Sequence, residues 1–399
     1  MSLVTIQKAG FLSLKAHVLS GIDRINTVAH LLEGKRVGLM TNPTGIDHHF
    51  RSTIDIVAER FNLTALFAVE HGIRGELLSG VRFDNMVDPI TGVTVYSAYG
   101  KNAHFSDEML EAFDVLIYDI QDVGARFYTY IYSMSYAMES CSRAGKSMIV
   151  LDRINPIGGV KTCGTILDQK FKSFVGVYDL PSRYALTCGE VALYVKDYLT
   201  LDLDLTVVPV EGWKRSMYLD DTDLPWVAPS PNLPTVNAAF PYIGTCIFSG
   251  TNISVGRGTS LPFEVIGAPF LNGAELEAAM ARHNLPGVHF RRTSFCPTFS
   301  KFEGELCHGV QMHITDRETC DPFEAAMTLL DEVCKQAGDK LEIPAYPAPE
   351  GSPLVYHFDR LLGTDAYRTN QKTTAQLVEE AKPAIAEYTQ KIRKYHLYD

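Results

Sequence analysis

The chain has 399 residues, 46% hydrophobic and 21% charged, with a net charge of −11 and a pI of about 5.6. This is a globular composition, long enough for one large domain or two ordinary ones. The acidic balance excludes general nucleic-acid binding and a strongly basic membrane-surface protein, and no apolar run reaches the roughly 18–20 residues of a membrane span.

In chain order, residues 22–32 have helical spacing. Residues 35–41, KRVGLMT, read as a strand closed by the turn signal Asn42-Pro43-Thr44-Gly45. Residues 50–61 have helical periodicity, and the apolar run 63–69 reads as a second strand ending at Glu70. A polar loop follows to Pro89, and 93–97 is a short strand. Ser106 is an N-cap for a helix with Met109, Leu110 and Phe113 on one face. Residues 114–120, DVLIYDI, form a further buried strand running into Gln121-Asp122-Val123-Gly124. A long helix is expected over 127–144, with Ile131, Met134, Met138 and Cys141 as its core stripe. Residues 147–151, SMIVL, are the next strand, closed by Asp152-Arg153. Thr187 and Glu190 are spaced as a capping box for a helix over 187–199. Residues 205–210 read as an edge strand because they contain Pro209.

Strands therefore alternate with helices from about 35 to 210, which predicts an α/β fold with a mostly parallel sheet wrapped by helices on both faces. The proline-rich LPWVAPSPNLPT, from Leu224, marks a change of domain. We divide the chain into residues 1–225 and 226–399, the second a smaller α/β domain that closes a cleft. There, 242–262 is expected to run as a strand into a glycine-rich loop. Helices are expected over 272–283, 322–337 and 374–395, and strands over 288–295 and 310–314.

In a parallel sheet the strand ends lie on one edge, where ligands bind. Four strands here end in polar residues: Asn42, Glu70, Asp119 with Gln121 and Asp122, and Asp152 with Arg153. Glu70 stands out because His71, Gly72, Arg74, Gly75 and Glu76 crowd behind it. It is the leading candidate for a catalytic acid or base, against the plainer reading of a satisfied strand-end carboxylate. Gly256-Arg257-Gly258 is a candidate anion-binding loop, with Asn252 and Thr259 nearby.

Other chemistries find little support. Gly145-Lys146-Ser147 has Ser140 where a P-loop needs glycine, and Gly256-x-Gly258 has Leu261 where a dinucleotide fingerprint needs its third glycine. There is no G-x-S-x-G elbow. His48-His49 and Cys307-His308 lack metal-ligand spacing, so no metal is expected. The eight cysteines include no C-x-x-C, and free thiols in a reducing compartment are expected. The N-terminus lacks a signal-peptide pattern. The chain as given reads as cytoplasmic, or as periplasmic or secreted if a leader has been removed.

The segments KRVGLMTNPTGID (35–47), FAVEHGIRGE (67–76), DVLIYDIQDVGARFYTYIYSM (114–134), LDRINPIGG (151–159), SPNLPT (230–235) and SGTNISVGRGTSLPFEVIGAPF (249–270) carry a resemblance. In this order they resemble the DUF1343 family, associated with exo-acting β-N-acetylmuramidases of the NamZ type. Two places depart from the family pattern. Tyr184 and Ala185 stand where the family usually has His and Gly, and Ser249 where it often has Glu.

The resemblance implies a Rossmann-like first domain, a smaller second domain and a cleft between them. It also implies release of terminal N-acetylmuramic acid from peptidoglycan fragments without a nucleotide cofactor, and Glu70 as the catalytic glutamate. Asp119, Asp122 and the acetamido oxygen of the substrate are alternatives for the second group that glycoside hydrolysis uses. A muramic acid carboxylate calls for a cation, for which Arg74, Arg126, Arg183 and Arg257 are candidates. Arg126 has the alternative of pairing with Asp122, four residues earlier. Tyr128 and Tyr130 either contact the sugar or begin the helix core. Asn42, His71, Gln121 and Asn252 complete the substrate-binding candidates. The expected partner is a peptidoglycan-derived sugar or muropeptide. The alternatives are another N-acetylhexosamine as substrate, or a non-catalytic sugar-binding protein.

Overall fold

The computed structural model describes residues 15–75, 85–98, 100, 103–346 and 354–399. The stretch up to residue 14, and Glu76 with the polar loop to residue 84, lie outside the described residues.

The chain enters through a 3₁₀ segment (Gly21–Val28) and α1 (Ala29–Leu32). There follow β1 (Arg36–Thr41), α2 (Thr53–Arg60), β2 (Asn62–Ala68), β3 (Met86–Val87), β4 (Thr94–Ser97) and α3 (Asp107–Glu111). Next come β5 (Val115–Asp119), α4 (Tyr130–Ala144), β6 (Ser147–Leu151), α5 (Cys188–Tyr198) and β7 (Leu205–Val208). These seven strands form one sheet in the order β3-β4-β2-β1-β5-β6-β7. All neighbours are parallel except β3 and β4. The chain winds outward from β1 in one direction and from β5 in the other, which is the doubly wound arrangement.

Alternation along each strand explains the layers. Val37, Leu39, Leu66 and Ile117 face a cluster with Ile22, Ile25, Ile54 and Val57, under the entry segment and α2. Met40, Phe67, Leu116 and Tyr118 point the other way, into a cluster with Met134, Met138, Val191 and Val195 of α4 and α5. The helices start where their caps require. Ser106 Oγ accepts from Met109 N at 3.3 Å, and Thr187 and Glu190 form the reciprocal box of α5. β7 is an edge strand that ends at Val208, immediately before Pro209.

The second half holds α6 (Val236–Thr245), β8 (Val265–Ala268), α7 (Gly273–His283), β9 (Val288–Phe295), β10 (Cys307–Ile314) and α8 (Pro322–Ala337). It ends with β11 (Ala345–Tyr346), β12 (Val355–Tyr356), α9 (His357–Leu362) and α10 (Thr374–Ile392). Strands β8, β10 and β9 make a small antiparallel sheet in that order. The strand expected from residue 242 is instead the end of α6, continued by a 3₁₀ turn over Cys246–Gly250. An apolar run buried all round has no period that tells helix from strand. The Thr235 cap on Ala238 N fixes the helix.

The cluster behind the main sheet continues without a break into Ala239 and Ile243 of α6 and Met327 and Leu330 of α8. The chain end also returns to the first half. Tyr398 Oη donates to Asp152 Oδ2 at 2.5 Å and accepts from Val210 N at 2.9 Å. Among the described residues no helix is long and apolar enough to cross a membrane.

Candidate active site

A cavity of about 180 Å³ opens beyond the C-terminal end of β2. The strand delivers Val69, fully buried, and the chain then turns sharply. Gly72 N donates to Val69 O at 3.1 Å, and His71 and Gly72 both take positive φ, 76° and 81°. This turn leaves Glu70 half-buried in the cavity wall with His71 beside it. Among the described residues that line the cavity, Glu70 is the only carboxylate.

The segment after β5 supplies the next part of the wall. Asp122 Oδ2 accepts from Gly124 N at 2.7 Å. Gly124 has φ +80°, and a Cβ there would lie 2.6 Å from Asn155 Oδ1, so glycine is required. Arg126 N donates to Ser182 O at 2.9 Å, and Tyr128 N to Ala125 O at 3.0 Å. The resulting turn pushes Phe127, Tyr128 and Thr129 into the cavity before α4 begins at Tyr130. The helix expected from residue 127 therefore starts three residues later. Thr129 Oγ1 donates to Glu70 Oε2 at 3.4 Å.

The far wall comes from the second half. Tyr242 of α6 packs edge-on against Phe127 at 5.1 Å and Phe263 at 4.6 Å, making an aromatic floor. Ser249 and Arg257 follow, with Arg257 lying over the Phe263 ring at 5.4 Å. Gly256 and Gly258, on either side of it, have φ of 73° and 82°. His357, at the start of α9, stacks on Phe174 with ring centroids 6.3 Å apart. Burial, with Arg360, Lys301 and Arg257 nearby, brings the His357 pKa down to about 4, so its imidazole is neutral. Ser230 and Asn232, from the proline-rich connection, close the side.

Four of the candidates drawn from sequence thus line one cavity: Glu70, His71, Tyr128 and Arg257. The others have different surroundings. Asp119 is fully buried and held by Arg153, with Nε 2.5 Å from Oδ1 and Nη2 2.9 Å from Oδ2, and it also accepts from the Thr53 hydroxyl. This pair joins the ends of β5 and β6. With Thr41 Oγ1 donating to Asp119 O at 2.7 Å, it fills the crevice between β1 and β5. Only about 20 Å³ remains in the neighbouring depression lined by Thr44, Gln121 and Arg153. Gln121 Nε2 donates to Asp122 O at 2.7 Å and Ile154 O at 2.8 Å. Asn42 Oδ1 accepts from Thr44 N and Thr44 Oγ1 at 3.0 and 2.6 Å.

Asp122 is buried behind the wall, where it accepts from the Tyr184 hydroxyl. Burial pushes its pKa up to about 6, against the Tyr184 and Gly124 hydrogen bonds that favour the anion. Arg126, fully buried, is not paired with it. Its Nη2 donates to Leu361 O at 2.9 Å and its Nη1 to Arg360 O at 3.3 Å, pinning α9, and burial lowers its pKa to about 10. Arg183 donates to Ile157 O and lies over Phe240 at 5.7 Å. Arg74 forms a two-point pair with Asp88 at 2.8 and 3.0 Å, and that hydrogen bonding takes the Asp88 pKa down to about 2. Tyr130 Oη donates to Pro229 O at 2.6 Å. Asn252 Nδ2 donates to Lys340 O at 2.8 Å and its Oδ1 accepts from Glu342 N at 3.0 Å.

Sequence reading did not single out Thr129, Tyr242, His357 or Phe174. Thr129 carried a signal, since it lies inside the GARFYTY segment between two candidate tyrosines. His357 and Phe174 carried none. Of the departures from the family pattern, Ser249 is in the wall. Tyr184 is not, and Ala185 takes a left-handed turn with φ 58°.

Comparison with known proteins agrees with this architecture. The family profile described as "Exo-beta-N-acetylmuramidase NamZ, N-terminal" matches residues 37–237. Its C-terminal counterpart matches residues 240–398. The chain is 45% identical over 390 residues to the peptidoglycan beta-N-acetylmuramidase NamZ of Bacillus subtilis (strain 168), covering 96% of this chain and 92% of that protein. Two crystal structures of DUF1343 family proteins from Bacteroides fragilis NCTC 9343 superpose on it. One has a TM-score of 0.86 at 35% identity and the other 0.74 at 29%, each match covering 96% of this chain and 99% of the other. With the two profiles together matching residues 37–237 and 240–398 and the fold shared with DUF1343 family proteins, the chain belongs to the exo-β-N-acetylmuramidase NamZ family.

Proposed function

We infer that this chain is a glycosidase that removes N-acetylmuramic acid from the non-reducing end of peptidoglycan fragments. The observation that carries the reading is the position of Glu70. It is a carboxyl at a strand end, facing a cavity with an aromatic floor, in a chain 45% identical to a NamZ muramidase.

In this reading Glu70 is the general acid. Its protonated carboxyl gives a proton to the glycosidic oxygen as the C1–O bond breaks, and positive charge develops at C1. Thr129 orients the Glu70 carboxyl through Oε2. Tyr128, Phe127 and Tyr242 offer ring faces and edges to the apolar side of the sugar. Asp119 and Asp122 act as structural groups, the first paired with Arg153 and the second held behind the wall by Tyr184.

The test is release of para-nitrophenol from para-nitrophenyl N-acetylmuraminide, run with the matching glucosaminide and galactosaminide. Turnover of the muraminide, lost in Glu70→Gln, is expected. No release from it, and none of N-acetylmuramic acid from muropeptides, would sink the reading. Faster turnover of another hexosaminide would move the substrate to that sugar.

A further inference from the structure

The far wall of the cavity contains polar groups that its own residues leave unanswered. Arg257 is half-buried, and among the described residues its guanidinium lies over a ring face, Phe263 at 5.4 Å, with no ion pair to a carboxylate. The Ser249 hydroxyl is buried without a well-formed hydrogen bond, its polar neighbour being the Cys246 thiol, a weak partner. The Nδ1 atom of His357, in the same wall, is likewise buried without a partner. Buried polar groups are almost always satisfied, so two such groups on one cavity, beside a guanidinium that meets a ring face, point to a ligand that satisfies them.

The sign of that ligand follows from the charges. Behind Ser249, Lys301 Nζ donates to Phe248 O, Ser249 O and Ile253 O at 3.0, 3.1 and 3.2 Å. All three of its protons are used, so it fixes the loop that presents Ser249 and adds positive charge without reaching into the cavity. Burial, with Arg257 as a further cause, brings the Lys301 pKa down to about 8. Two cations thus stand on this side, whereas Glu70 stands in the wall formed by the first half. The Tyr242 hydroxyl is close enough to feel both Arg257 and Glu70.

We propose that Arg257, Ser249 and His357 form a carboxylate subsite that reads the lactyl group of N-acetylmuramic acid. The inference rests on the muramidase reading above. N-acetylmuramic acid differs from N-acetylglucosamine by an ether-linked lactic acid, so the carboxylate is the chemical difference the enzyme has to detect. The planar guanidinium of Arg257 is suited to two-point contact with it. The hydroxyl of Ser249 donates to the second oxygen, and the neutral His357 adds a donor without a competing charge. Lys301 is a positioning residue.

The experiment is calorimetric binding of three sugars: N-acetylmuramic acid, N-acetylglucosamine, and N-acetylmuramic acid with its lactyl carboxyl converted to the methylamide. Wild-type protein is expected to bind the acid about 10- to 100-fold more tightly than the other two, the range for a hydrogen-bonded charge contact. Arg257→Gln is expected to bind all three alike. Ser249→Ala, which removes the proposed hydroxyl donor, is expected to cut the preference for the acid severalfold with its melting temperature kept. A wild-type protein with no preference for the acid, or either variant keeping the wild-type preference in full, overturns the subsite. Failure of the muramidase reading shows separately, as absence of aryl muraminide turnover in wild-type protein.

Discussion

Thr129 occupies the N-cap position of α4, yet its hydroxyl does not cap the helix; it donates to Glu70 Oε2 at 3.4 Å. The helix start is thereby tied to the end of β2, 59 residues away in sequence. This contact is long for a hydrogen bond, so its contribution stays within the roughly 0.5–1.5 kcal/mol of an ordinary one. Thr129→Val is expected to lower kcat/KM about tenfold with little change in melting temperature, and Thr129→Ser to keep most of the activity. Steady-state kinetics of the two variants check this. Equal losses in both would mean that the hydroxyl is not the working part.

On the proposed reading, Glu70→Gln removes the proton donor and keeps the shape. A general acid typically contributes about 10²- to 10⁴-fold, and the loss depends on how much help the leaving group needs. The variant is expected to lose that factor on a muramic acid–glucosamine disaccharide and much less on an aryl muraminide with an acidic phenol. Plotting kcat/KM against phenol pKa for both proteins gives the answer. Parallel lines would argue that Glu70 acts on C1 and not on the leaving oxygen.

Arg126 holds α9 by its last carbonyls, Arg360 and Leu361, and α9 carries His357 and Leu361 of the cavity wall. Truncation leaves buried carbonyls without donors and a large hole in the core. Arg126→Ala is expected to cost about 3–5 kcal/mol, read as a lower denaturant midpoint, and to raise KM in the fraction that folds. An Arg126→Ala protein as stable as wild type would remove the clamp.

Asp122 makes stability depend on pH in an unusual direction. Burial lifts its pKa from 3.8 to about 6, so between these values the native chain holds a proton that the unfolded chain has released. Its contribution is therefore largest at low pH and is lost as pH rises from about 4 to about 6, by up to about 3 kcal/mol. Asp152, also buried with a pKa of about 6, adds a similar slope. Asp122→Asn is expected to remove one of the two slopes. Urea unfolding at pH 4, 5, 6 and 7 measures it, and curves that stay parallel to wild type would show that Asp122 is ionised in the native state.

The sequence by itself determined the parts set over short range. Alternating apolar runs specify β1, β2, β5 and β6, and Ser106, Thr187 and Asn272 mark helix starts that the structure keeps. The position of Glu70 where β2 ends was legible for the same reason: a run of buried residues followed by glycines is a local pattern.

Tertiary structure decided which polar strand ends face the cavity. Asp119 and Asp122 stood in sequence as candidates for the second catalytic group, and Arg126 as a candidate cation for the substrate carboxylate. Burial obliges each such group to find a partner, and the partners are remote: Arg153 for Asp119 across 34 residues, Tyr184 for Asp122 across 62, and Leu361 for Arg126 across 235. The second wall of the cavity is likewise assembled from Ser249, Arg257 and His357, brought to Glu70 by the core that runs unbroken from the sheet into α6 and α8. Local pattern places a side chain along its own strand or helix; which side chains meet across the cavity is set by packing between elements far apart in the chain.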